Sequence, residues 1–150
     1  MGQEDWGKIM QDQQRVIFDF IKSQPIGILA TINGAGTPEA SAMAISQTDK
    51  LELIFQTPDT TRKYANLQNN PHVAVVFGWG QDNYITVQYE GVAREVVDEA
   101  EREQLVPIHL ENSADSRPYL GLPGNKFFIV TPTQIKYSDI PNRVTFVVKP

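Results

Sequence analysis

The chain has 150 residues, a formal net charge of -5, 41% hydrophobic residues and 21% charged ones. These values describe a single globular domain, 1–150, able to bury a real core, and they exclude a disordered chain or a basic nucleic-acid-binding module. With no cysteine there is no disulfide framework, thiolate metal site or cysteine nucleophile, and with no membrane-length apolar run or secretory leader a cytoplasmic location without a membrane partner is expected.

Trp6, Ile9, Met10, Ile17, Phe20 and Ile21 recur at helical spacing, which predicts an amphipathic helix over 4–23, stopped by Pro25. "IGILATIN" (26–33) is rich in β-branched residues and reads as a strand, "GAGTP" as its turn, and "EASAMAIS" (39–46) as the returning strand. "LELIFQT" (51–57) is a third strand. A short helix follows over "TTRKYANLQNN", ended by Pro71. "HVAVVFGW" (72–79) is an apolar strand, "GQDN" (80–83) a turn, and "YITVQYEGVAREV" (84–96) a long strand in which Gly91 predicts a bulge or barrel corner.

Asp98 and Glu101 form a capping pair for a helix expected to break near Pro107. The polar, Pro/Gly-rich stretch 111–125 reads as a loop. "FFIVTP" and "TQIKYSD" then read as a strand pair, and "RVTFVV" as the last strand. Sequential strands with helices inserted at intervals predict a mainly β (α+β) fold, an antiparallel Greek-key split β-barrel with peripheral helices.

Thr60, Thr61, Arg62 and Lys63 stand at the start of the short helix. A helix N-terminus carries unpaired N–H groups and partial positive charge, so two cations there are unfavourable unless an anion joins them. One reading is a hydroxyl cap with both cations in solvent. The other is a phosphate held by N–H groups, a threonine hydroxyl, the arginine fork and the lysine ammonium.

The order "LELIFQT", "TTRK", short helix, "NLQNNPHVAVVF", then "VQYEGVARE" resembles the pyridoxamine 5'-phosphate oxidase-like family of FMN-binding split barrels, in particular its short, general-stress-protein-like members. The resemblance implies FMN, with its phosphate gripped by Thr61, Arg62 and Lys63. Gln56 and Thr57 would touch the ribityl chain or ring edge, and the backbone of Ser41, Ala42, Met43, Ala44 and Ile45 would lie along the isoalloxazine. It also implies an oxidoreductase acting on an unidentified small molecule, in a homodimer with the cofactor at the interface. A partner, or the loop containing Tyr119 and Leu120, would supply the lid.

Where the oxidases carry an arginine and a lysine on the second strand, this chain has Ser41 and Ser46. Thr86 and Ser138 replace a glutamine and a tryptophan, and the later Arg-and-His motif has no counterpart. Oxidation of pyridoxamine phosphate is therefore not expected. Relatives that bind haem or the deazaflavin F420 leave those cofactors as alternatives, with His109 as the haem candidate. A non-catalytic carrier or sensor is the alternative class. The two histidines show no metal-site spacing, Trp79 and Tyr84 read as rim or dimer contacts, and no general acid, base or nucleophile stands out.

Overall fold

The structure is a computed structural model and describes residues 2–81 and 83–150; Asp82, inside the expected turn 80–83, lies outside the described residues. In chain order the elements are α1 (Gln3–Lys22), β1 (Ile26–Ile32), β2 (Pro38–Ala44), β3 (Ser46–Gln47), β4 (Leu53–Pro58), α2 (Arg62–Asn69), β5 (His72–Gly78), β6 (Ile85–Glu95), α3 (Glu99–Asn112), β7 (Asn125–Asp139) and β8 (Val144–Val148), with a 3-10 turn over Ala114–Tyr119. All strand pairs are antiparallel, in the order β2-β1-β5-β6-β7-β4-β3, with β8 also on β7. This is the expected split barrel, a curled sheet with helices against it. None of the described helices is long and apolar enough to cross a membrane.

The alternation of small and large apolar residues along the strands sends one set inward. Leu29, Phe55, Val75, Phe77, Val87, Tyr89 and Phe128 fill the curl, closed at one end by Ile17 and Ile21 of α1. The Tyr89 hydroxyl lies within hydrogen-bond distance of the Leu51 and Val130 carbonyls, at 2.8 and 3.2 Å, so its polar end is satisfied inside the core. A second apolar cluster joins Leu105 of α3 to Ile54 and Phe127 on the other face of β4 and β7.

Three local expectations are corrected. Pro107 does not break α3, which runs through it to Asn112. The carbonyl that loses its N–H partner is that of Glu103, and both Glu103 and Pro107 are exposed, so water can take the bond. The stretch over 125–139 is one strand, not a pair. Pro132 sits where β7 is paired on one side only, after its last bond partner in β4 (Leu53, opposite Val130) and before its first in β8 (Val148, opposite Ile135). A missing N–H is tolerated at such an edge. Finally, the loop over 111–125 begins with the end of α3 and contains the 3-10 turn.

The irregularity predicted at Gly91 is present, but the extra residue belongs to the facing strand. Glu90 pairs with Gln134 and Gly91 with Pro132, which leaves Thr133 bulged. Gly91 is required by close approach, since a Cβ there would lie 2.6 Å from the Thr131 carbonyl oxygen.

Candidate functional site

The sheet does not close. β2 pairs with β1 alone, and the outer half of β4, from Phe55 to Pro58, pairs with β7 alone. The far edge of β2 and the facing edge of β4 thus present backbone N–H and C=O groups with no strand partner among the described residues. Such an edge binds another strand or a flat hydrogen-bonding ligand. The loop after β4 leads into α2, whose N-terminus stands at one end of this seam.

Thr61 is the N-cap of α2, its hydroxyl accepting from the Tyr64 N–H at 3.3 Å and donating to the Pro58 carbonyl at 3.0 Å. Buried Thr57 holds that hydroxyl from behind, Oγ1 to Oγ1, at 2.9 Å. Arg62 projects into solvent with 86% of its side chain exposed, and its Nη1 lies 2.8 Å from Glu39 Oε2. Lys63 is half-buried and makes no ion pair among the described residues. These cations, with Thr31, Glu39, Ala40 and Ser41, line a cavity of about 110 Å³. Of the predicted anion-binding residues, Arg62 and Lys63 line this cavity, whereas Thr61 is not in its lining and serves as the cap.

Further along β2 a larger cavity of about 320 Å³ is lined by Met43, Ala44, Gln56, Pro58, Tyr119, Leu122 and Asn125. The Gln56 amide is already committed, its Nε2 donating to the Ser116 carbonyl at 3.1 Å and its Oε1 accepting from Asn125 Nδ2 at 2.7 Å. Gln56 thus ties the 3-10 turn and its following loop over this end of the seam. Tyr119 lines the cavity, whereas Leu120 packs into the α3 cluster. Ala42 faces outward, and Ile45 is buried in the core, its N–H bonded to the Pro25 carbonyl at 3.0 Å.

His109 lies elsewhere. It is fully buried beneath α3, edge-on to Phe127, with Nδ1 2.8 Å from Ser46 Oγ. The Ser46 hydroxyl donates to the His109 backbone carbonyl at 3.1 Å. The Nδ1–H must then donate to Ser46, leaving Nε2 as a bare lone pair without a partner among the described residues. Burial pushes the ring's pKa down from 6.5 to about 4. An enclosed imidazole of this kind has no room for a haem. His72 is exposed and lines a different cavity, with Thr31, Pro38 and Thr133. Trp79 and Tyr84 form an exposed T-shaped pair, as rim residues do, and Thr86 donates to the Phe77 carbonyl. No group of three or more potential metal ligands occurs among the described residues.

Sequence reasoning missed Glu39 and Asn66. Asn66, in the buried face of α2, donates to Glu39 Oε1 at 2.7 Å and to Thr31 Oγ1 at 3.0 Å. The available signal was the strand period: Glu39 shares a face with Ser41 and Met43, an acid among small and apolar residues. Its partners lie in another element, which local patterning does not reveal.

The chain matches the family model described as pyridoxamine 5'-phosphate oxidase over residues 14–139. Its fold is similar to that of the heme binding protein from Mycobacterium smegmatis (TM-score 0.76, 17% identity, covering 87% of this chain and 55% of that one). This chain therefore spans about half the length of the mycobacterial protein. It is also similar to General Stress Protein 26 from Bacillus anthracis (TM-score 0.70, 20% identity, 91% and 98% covered). A third likeness is to a general stress protein 26-related protein from Clostridium acetobutylicum (TM-score 0.72, 17% identity, 93% and 95% covered). No curated protein matches the sequence.

Proposed function

The chain belongs to the pyridoxamine 5'-phosphate oxidase family, and from that premise we propose that it is an FMN-binding oxidoreductase acting on a small substrate other than pyridoxamine phosphate. The observation that carries this reading is the seam: an open strand edge with a capped, doubly cationic helix start at one end and an apolar cavity at the other. The residues present fit the group. A phosphate matches the N–H groups at the start of α2 together with the guanidinium of Arg62 and the ammonium of Lys63, while the Thr61 hydroxyl, whose proton goes to the Pro58 carbonyl, sets the cap from which they project. A planar heterocycle with donor and acceptor edges matches the free backbone of β2 from Ser41 to Ala44, and an apolar ring face matches Met43 and the cavity beside it. When bound, FMN would supply hydride or electron transfer. The chain's residues would bind it, orient it and exclude water. Thr57 would fix the capping hydroxyl, and the loop tied by Gln56 and Asn125 would cover the apolar end. The serine at position 41, where the oxidases carry a cation, lines the seam and supports a substrate without a phosphate at that place; Ser46 is buried against His109 and does not bear on it.

The visible spectrum of the purified protein tests the reading directly. Flavin absorption, bleached anaerobically by NADH or NADPH, is the expected result. A protein that neither carries flavin nor takes it up from added FMN would overturn it.

The outer face of the sheet supports a homodimer. Ala42, Ile28 and Val76 stand in one cross-strand row, and Ala40, Ala30 and Ala74 in the next. Ile26, Ile28 and Val76 are 55%, 43% and 40% exposed. A contiguous apolar patch on a sheet face is a recognition surface. β2 belongs both to this patch and to the seam, so a second copy seated there would stand at the mouth of the cofactor site. Val76→Glu is expected to convert a dimer to a monomer in light scattering at micromolar concentration, and to weaken FMN binding with it. A wild-type monomer that holds FMN tightly would remove the dimer from the proposal.

A further inference from the structure

Charge is segregated along the seam. At the α2 end the cavity is lined by Arg62, Lys63 and Glu39. The cavity at the other end, of about 320 Å³, is walled by Met43, Ala44, Pro58, Tyr119, Leu122 and Pro123, and none of the described charged side chains lines it. Its polar lining is Gln56, Ser116 and Asn125, and these are bonded to one another, Gln56 Nε2 to the Ser116 carbonyl and Asn125 Nδ2 to Gln56 Oε1. The covering loop is pinned at two further carbonyls, Leu120 by Arg102 Nη2 and Gly124 by the Asp59 N–H, each at 2.8 Å. Neither the Arg102 nor the Asp59 side chain lines the cavity.

A charged group seated there would give up its water and meet no counter-ion, which is costly. Gln56 and Asn125 could turn to it only by releasing the bonds that hold the loop over the cavity. An uncharged, apolar molecule pays neither penalty and buries its surface against Met43, Tyr119 and Leu122. Met43 and Ala44 also belong to the strand edge that suits a flavin ring, so such a molecule would lie beside the reacting group. We propose that this cavity is the substrate subsite, that it takes small, uncharged, largely apolar molecules, and that Tyr119 and Leu122 of the covering loop set this preference. The assignment to a substrate rests on the flavin reading above; the preference by charge belongs to the cavity with or without flavin.

The test is equilibrium dialysis at pH 8 of the protein, with and without added FMN, against naphthalene-carboxamide and naphthalene-carboxylate. The two probes have nearly the same shape and differ in charge; using both the 1- and 2-isomers keeps a single orientation from hiding the charge in solvent. 2-Naphthylmethylammonium supplies the opposite sign. The carboxamides should bind at least about tenfold more tightly than either charged probe. Leu122→Lys places a cation in the wall at a position 52% exposed in the wild type, where the fold tolerates it. In that variant the carboxylates should tighten about tenfold and the carboxamides change little, and the gain should shrink with added salt. Carboxylate bound as tightly as carboxamide by the wild type overturns the charge preference, and no carboxylate gain in Leu122→Lys overturns its placement in this cavity; both leave the flavin reading intact. Carboxamide displaced by FMN overturns the substrate assignment, because the ring itself then fills the cavity. A protein that takes up no FMN overturns the flavin reading and the substrate assignment with it, while dialysis of the flavin-free protein still decides the charge preference.

Discussion

Arg62→Ala weakens FMN binding by about one to two decades, the equivalent of losing one charge-assisted contact worth about 1.5–3 kcal/mol. Lys63→Ala acts in the same direction but less strongly. The difference comes from Glu39, whose Oε2 lies 2.8 Å from Arg62 Nη1. Removing the arginine takes away a phosphate contact and also leaves that carboxylate unneutralised beside the ligand. Riboflavin, which has no phosphate, responds little to either substitution. Parallel titrations with FMN and riboflavin read the effect. Equal losses for both ligands would place the phosphate elsewhere, and unchanged thermal unfolding of the free variants would show that the fold is not the cause. Stability of α2 should survive, since its cap is the Thr61 hydroxyl and neither cation contributes to it.

The fold loses about 3 kcal/mol between pH 6.5 and pH 4 through His109 alone. The ring is neutral in the folded protein because its pKa is pushed down to about 4 by burial, against an ordinary 6.5. Between those values the unfolded chain binds a proton that the folded one refuses. Stability from this residue is therefore fully present above pH 6.5, falls through the window, and is gone below about pH 4. Protonation would put an N–H at Nε2 with no acceptor beside it among the described residues. His109→Leu should be less stable than wild type at neutral pH, because Ser46 loses its ring partner. Its stability should nevertheless depend much less on pH across the same window. Denaturant unfolding at half-unit pH steps separates the two, and parallel profiles for wild type and variant would refute the assignment.

The elements that were legible in the sequence are those whose signals are local. The period of Trp6 to Ile21 marks α1, the β-branched run from Ile26 marks β1, and Pro71 ends the helix that Thr61 begins. The candidate site was legible as far as consecutive residues carry it, from Gln56 to Lys63. What escaped depends on neighbours distant in the chain. Pro107 and Pro132 look like breakers, but one faces water and the other faces a gap between two partner strands. Glu39 looks like an ordinary polar residue at the start of a strand, and only the packing of α2 onto β1 and β2 turns it toward the cations. Gln56 was expected to reach the ligand, yet its amide is spent on the covering loop because that loop returns to β4 through Asn125.

The continuity of β7 has a consequence for how the molecule is made. That strand zips onto β6 along most of its length, onto β4 at its start and onto β8 at its end. As the chain leaves the ribosome, β4 and β6 therefore wait with open edges until residues 125–139 emerge. Pairings of such large sequence separation form slowly, because the loop between them must be ordered first. The half-made protein is a sheet missing its keystone, and it has two sticky borders, the kind of nascent species that aggregates or occupies chaperones. Its charge of -5 helps to keep those borders apart during that interval.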